Sequence, residues 1–207
     1  MSTVIIHATP FSTYGRTCTM ALIDKGVPYE LDPAGPQTPE QLARQPWGAV
    51  PAMSHGDVRL YETLAIASYI DTAFDGPALQ PDDALQRAQM NQWISVFIQY
   101  LYRPAIDIAL QRLFVPAQGG TANEELIAES VPKTEKALAA LDGALDGQNF
   151  FAGSIVSLAD YFVFPLLPYL DMTPEGPALL AETPNLTRWQ SAMAKRDSAQ
   201  KTPPPSL

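Results

Sequence analysis

The sequence predicts an α/β N-terminal domain of order βαβ–α–ββα followed by an all-α C-terminal domain. Three observations carry this. Short β-branched runs alternate with segments of helical spacing as far as Phe74. A Pro- and Gly-rich stretch, DGPALQPDD, then breaks the pattern from Asp75 to Asp83. Beyond it the strand signals vanish and long amphipathic segments take over. The 207 residues suit two domains of about 80 and 120 residues. The expected boundaries are residues 1–77, a linker over 78–84, and 85–207.

Thr3 to His7 is β-branched and apolar, hence a buried strand. From Thr13 to Lys25 the apolar residues Cys18, Ala21 and Leu22 fall at i, i+3 and i+4, so a helix opens after Ser12 and stops at Gly26. Tyr29 to Leu31 is a second strand. Thr38 is a preferred N-cap for a short helix from Pro39 to Arg44. The run Pro46-Trp47-Gly48-Ala49-Val50-Pro51 cannot be a regular helix. Ala52–Ser54 and Val58–Tyr61 flank His55-Gly56-Asp57 and read as a hairpin. A third helix starts at Thr63 with Ile66, Ala67 and Ile70 on one face. In the second domain the expected helices cover residues 84–102, 105–114 beyond a break at Pro104, 124–145, 157–170 and 184–195, before a tail, KTPPPSL.

Composition excludes several functions. A hydrophobic fraction of 46% with 17% charged residues is ordinary for a globular chain. A net charge of −9 leaves no basic face to displace counterions from nucleic acid, and it disfavours anionic membranes. No run reaches the roughly 18 apolar residues that a membrane span needs. The start, MSTVIIHATP, shows neither a basic n-region nor a small-residue cleavage site. Cys18 is the one cysteine, which rules out an intramolecular disulfide and fits a reducing, cytoplasmic compartment. No metal site is expected.

Four local features carry chemistry or stability. Ser12 stands at the mouth of the first helix, where its oxygen can cap a free N–H. Val50-Pro51 directly precedes a strand; a tight turn there invites a cis bond that would offer the Val50 N–H and C=O to an extended peptide. Glu62-Thr63 opens the third helix, whose N-terminus attracts a carboxylate, with Glu62 free to receive an ammonium group. Ser157-x-x-Asp160 is a capping-box variant with a stabilising role.

The order and spacing of these features resemble the glutathione transferase family. The matching stretches are PFSTYGRTCTMALIDKGVPYEL, RQPWGAVPAM, RLYETLAIASYI, GPALQPDDALQRAQMNQW and FFAGSIVSLADYFVFPLL, with PNLTRW near the end. The resemblance implies a thioredoxin-like first domain that holds glutathione, a helical second domain, and a homodimer. Ser12 with Arg16 four residues on resembles the serine-dependent classes, phi above all. On that likeness Ser12 is the catalytic hydroxyl, with Tyr14 as the alternative. Val50 pairs with the main chain of the glutathione cysteine, Pro51 beside it is also a glutathione-binding candidate, and Glu62 and Thr63 hold the γ-glutamyl end. Phi members often carry basic residues before the second helix where this chain has Pro36, Gln37 and Thr38, so Gln37 is the candidate there. Ala49 replaces a frequent glutamine. Phe11, Tyr14, Tyr100, Arg103, Ile108 and Phe114 are the candidates for an acceptor pocket.

The implied reaction is attack of the glutathione thiolate on a small hydrophobic electrophile. A free thiol has a pKa of about 8.5, and lowering it by about two units takes about 2.7 kcal/mol of preferential thiolate binding. One charge-assisted hydrogen bond supplies roughly 1.5–3 kcal/mol and a helix N-terminus about 0.3–1. One hydroxyl aimed by the first helix is about sufficient. Two other readings share the fold: glutathione-dependent peroxide or disulfide reduction, and a non-catalytic binding protein.

Overall fold

The computed structural model describes residues 2–206. The chain divides into two compact units, one running from the N-terminus to Gln80 together with Arg196–Pro205, the other spanning Pro81–Lys195.

The first unit holds a four-stranded sheet of order β2-β1-β3-β4, with β1 at Val4–His7, β2 at Tyr29–Asp32, β3 at Ala52–His55 and β4 at Val58–Tyr61. β1 and β2 run parallel, joined by helix α1 (Thr13–Asp24); β3 lies antiparallel to both β1 and β4. The period of two sends Val4 and Ile6 to one face, where both are buried. Met20 and Leu22 of α1, and Ile66 and Ile70 of α3 (Thr63–Ala73), fill the same core without exposure. The short helix α2 (Pro39–Arg44) is capped by Thr38, whose oxygen accepts the Gln41 N–H.

The register fixes where function can sit. His7 pairs with Asp32 and with Ala52, and Ala52 pairs with Tyr61. The chain therefore leaves β1 and β2, enters β3 and leaves β4 at one edge of the sheet. The segments carrying Ser12, Gln37, Val50 and Glu62 all start or end at that edge.

The second unit is helical. From Ala84 to Ala117 the chain stays helical without a break: α4 (Ala84–Val96), a π-helical stretch (Phe97–Tyr102), α5 (Arg103–Ala109), a second π-helical stretch (Leu110–Phe114) and α6 (Val115–Ala117). The expected break at Pro104 is absent. A wide π-turn ends just before it, so the missing N–H falls in the opening turn of α5, where proline is tolerated. α7 (Glu124–Ala144) also carries an internal proline, Pro132. α8 (Leu158–Val163) and α9 (Leu167–Asp171) flank a 3₁₀ turn, and α10 (Gly176–Ala181) and α11 (Pro184–Ala194) follow. Leu101, Leu138, Leu141, Leu166 and Trp189 lie in the core without exposure. Truncating one such leucine to alanine costs about 2–5 kcal/mol.

Asp160 sits in that core. Its Oδ2 accepts the Ser157 N–H at 2.7 Å and the Ser157 hydroxyl at 3.0 Å; its Oδ1 accepts the Trp189 indole N–H at 2.7 Å and the Phe151 N–H at 3.2 Å. Burial pushes the carboxyl up to about 6, against the pull of these four donors.

The C-terminal segment departs from the sequence boundaries, which leave it with the helical domain. Helix α12 (Asp197–Lys201) packs on α1 and groups with the first unit. Polar ties at both ends of α1 explain this. Arg196 bonds Asp24 at 2.7 Å, while Arg16 donates to the Ala199 carbonyl at 3.3 Å and to Thr202 Oγ1 at 3.2 Å.

Candidate active site

Ser12 caps α1. Its backbone is extended, its Oγ accepts the Gly15 N–H at 3.0 Å, and its carbonyl accepts the Arg16 N–H at 2.9 Å. Among the described residues no acceptor takes its hydroxyl proton, so the group can cap the helix and still donate outward. Gly15 is required here: a Cβ on it would stand 2.7 Å from Ala8 Cβ and 3.2 Å from Ser12 Cβ. Ser12 also lines a cavity of about 180 Å³ with Arg16, Tyr29, Lys201, Thr202 and Pro203. Phe11 and Tyr14 are half-buried on either side of the cap. Cys18 lies further along α1, fully buried, where desolvation drives its thiol far above the usual range; it is a core side chain and no nucleophile.

The Val50–Pro51 bond is cis. Among the described residues no hydrogen bond engages the Val50 N–H or C=O. The loop is held one residue earlier: the Ala49 carbonyl accepts the side-chain amides of Gln41, at 2.7 Å, and of Gln45. Gln37 acts on the same loop. Its N–H donates to the Gly48 carbonyl at 2.7 Å and its Nε2 to the Trp47 carbonyl at 2.8 Å. The Gln37 amide nitrogen is thus engaged in shaping the loop.

Gln37 and Glu62, at φ 62° and 68°, are the non-glycine residues with positive φ among those described. Such backbone costs on the order of 1–3 kcal/mol and gathers at functional sites. Glu62 precedes α3, and no side chain caps that helix. By contrast Ser12, Thr38, Asp83 and Asn123 each cap their own helix. The first N–H groups of α3, beside the buried Thr63, are left to an acceptor from outside.

A further set of residues, invisible to spacing, sits at the same edge. His7 Nδ1 lies 2.7 Å from Asp32 Oδ2 and His7 Nε2 2.9 Å from Ser54 Oγ; Arg44 Nη2 donates to Asp32 Oδ2 at 2.9 Å. The His7 hydrogen bond first, then the Arg44 charge, hold the Asp32 carboxyl below the usual carboxylate range. Each partner lies on a different element, 25, 47 and 12 residues apart, so no local motif announces them.

The acceptor candidates of the second unit differ in exposure. Tyr100 is exposed and lines an apolar groove of about 640 Å³ with Trp93, Val96, Pro104, Lys133 and Lys136. Arg103 is mostly exposed and pairs with Asp107 at 2.8 Å. Phe114 packs on Tyr169, ring centroids 5.8 Å apart. Ile108 has no exposed surface, so the sequence reading is corrected there: it belongs to the core, whose helical spacing looks the same as that of a pocket wall. Among the described residues, no three His, Cys, Asp or Glu stand together as a metal site, and no helix is long and apolar enough to cross a membrane.

Comparison with known proteins decides the family. Residues 6–78 match the family model for the glutathione S-transferase N-terminal domain, and residues 98–197 that for the C-terminal domain. The chain is 32% identical to glutathione S-transferase 4 of Zea mays, over 96% of this chain and 91% of that protein. The chain belongs to the glutathione S-transferase family. Glutathione S-transferase F10 of Arabidopsis thaliana is 30% identical over 90% of each chain. In structure, the chain superposes on apo glutathione S-transferase III with a TM-score of 0.88 at 28% identity, covering 99% of this chain and 100% of that one. Glutathione S-transferase I bound to lactoylglutathione gives 0.87 at 28% identity, covering 97% and 98%. The curated relatives are plant phi-class enzymes, and the chain is a transferase of this family with its two-part architecture.

Proposed function

We propose that the protein binds glutathione along the sheet edge and donates the Ser12 hydroxyl proton to its sulfur, so that the thiolate attacks a small hydrophobic electrophile. The observation that carries this is the pairing of two uncommitted polar groups: the Ser12 hydroxyl proton at the mouth of α1, and the Val50 main chain beside cis-Pro51. Val50 would pair with the cysteinyl main chain of glutathione. The uncapped start of α3, with Thr63, would take the γ-glutamyl carboxylate, and Glu62 its ammonium group. Serine need not ionise. A positioned hydroxyl that favours thiolate over thiol by about two pKa units is within the reach of one charge-assisted bond plus the helix N-terminus.

The test is turnover with glutathione and an activated aryl halide. Ser12→Ala is expected to lower kcat by roughly three- to twenty-five-fold near neutral pH, the loss of thiolate that a rise of one to two units from a bound-thiol pKa of about 6.5 implies, with glutathione affinity nearly intact. Unchanged turnover removes Ser12 from the mechanism and leaves Tyr14 as the donor to test.

The same reading includes a cytoplasmic homodimer. Trp47 is 68% exposed, and the groove beside Trp93 and Tyr100 is largely apolar; both are surfaces that a second copy would cover. A compact monomer in gel filtration contradicts the dimer.

A further inference from the structure

Ser54, His7 and Asp32 stand in the spacing of a nucleophile, a base and a carboxylate, at 2.9 and 2.7 Å. Ser54, however, lies in a strand paired on both sides, which leaves no free main-chain N–H beside it to receive an oxyanion. The chain of contacts continues the other way. Asp32 Oδ2 holds Arg44 Nη2 at 2.9 Å; Arg44 Nη1 donates to Gln41 Oε1 at 3.4 Å; Gln41 Nε2 donates to the Ala49 carbonyl at 2.7 Å. Gln41 is fully buried, so its amide is confined to this route.

We propose that Asp32, gripped by His7 and acting through Arg44 and Gln41, is a positioning residue that aims the Val50 N–H at glutathione. The physical step is the planarity of one peptide. The Ala49 C=O and the Val50 N–H belong to the same trans unit, in which the N–H points opposite to the carbonyl. Anchoring the oxygen inward on the Gln41 and Gln45 amides sends the hydrogen outward. A carboxylate can only accept, so His7 Nδ1 carries the proton that faces Asp32. The His7 ring is thereby fixed between β2 and β3, and the carboxylate that holds α2 is fixed with it. Asp32 also accepts the Ala8 N–H on its main-chain oxygen at 3.0 Å, which joins the exit of β1 to the same point.

This inference rests on glutathione as the ligand of Val50, and the experiment separates the two. Glutathione binding to the wild type is measured by calorimetry. KM for glutathione, KM for an activated aryl halide, kcat and the melting temperature are then compared among wild type, Asp32→Ala, Arg44→Ala, the double variant and Asp32→Asn. Both substituted side chains are partly exposed, at 41% and 31%, so the variants keep their core. Each alanine variant is expected to raise KM for glutathione by roughly five- to tenfold, the loss of about one hydrogen bond. kcat at saturating glutathione and KM for the halide stay near wild type. Links in one chain fail together, so the double variant should match either single variant. Asp32→Asn keeps an acceptor oxygen and should recover part of the affinity. A glutathione KM unchanged in Asp32→Ala overturns the inference, as do effects that multiply in the double variant or fall equally on both substrates. If the wild type itself takes up no glutathione, the proposed function falls and the positioning role with it. If the wild type binds and Asp32→Ala binds equally well, the positioning role alone falls.

Discussion

At the scale of single residues, the site is built from small groups whose neighbours leave them one free function. Ser12 uses a lone pair to cap α1 and keeps its proton. Gly48, at φ +59°, is the sharpest such case in the loop before Pro51. A Cβ there would stand 3.0–3.1 Å from the Leu42 and Gln37 side chains, on backbone that side-chain residues rarely adopt. Gly48→Ala is therefore expected to displace Gln37 and weaken glutathione binding while kcat at saturation changes little; isothermal titration checks it, and undiminished affinity would count against the role of this loop. Of the candidate site, the cap at Ser12, the turn at Val50-Pro51 and the helix start at Glu62-Thr63 were legible as local structure, because proline, glycine and cap chemistry act over a few positions. Asp32 and His7 were not, because strand pairing across the sheet creates their contacts.

At the scale of elements, α8 shows how a buried charge can serve a helix start. The folded protein keeps a proton on Asp160 up to about pH 6, whereas an unfolded aspartate releases it near 3.9. The folded state thus binds more protons between those values, so stability from this group falls as pH rises from about 4 to 6 and is level above. Acidifying from pH 7 to 5 should stabilise the wild type by roughly 1 kcal/mol relative to Asp160→Asn. Denaturant unfolding of both proteins at the two pH values measures this; a gap that does not change with pH would show that the carboxyl is not perturbed. The Ser-x-x-Asp spacing announced this cap, but the Trp189 indole that completes it comes from 29 residues away. Pro104 misled for a related reason. Proline removes one N–H wherever it stands, and sequence does not show that a π-turn has already released that position.

At the scale of the molecule, the first unit is discontinuous in sequence. α12 returns to α1, and the Arg196–Asp24 and Arg16–Thr202 bonds tie it along the helix that Ser12 opens. Truncation after Lys195 is expected to uncover buried Ser198 and Ala199 contacts and to lower the melting temperature by several degrees. It should also reduce kcat by loosening the start of α1. Thermal unfolding with kinetics checks this, and a truncated protein equal to the full chain in both would dismiss the tie. The two-part division followed from the loss of strand signals after Asp83. The return of Arg196–Pro205 did not, because a helix of five residues shows no periodicity and the arginines that anchor it, Arg16 and Arg196, belong to no local motif. Trp47 belongs to this scale too. Trp47→Ala is expected to shift the gel-filtration peak toward the monomer while leaving the melting curve of the monomer nearly unchanged.

The measurement that bears most directly on the whole account is the ultraviolet titration of the glutathione thiol bound to the wild type and to Ser12→Ala. The wild type should ionise the bound thiol about two pKa units below the free value of about 8.5, and Ser12→Ala should return it by one to two units. Superimposed titration curves for the two proteins would contradict a hydroxyl at the mouth of α1 as the source of the thiolate.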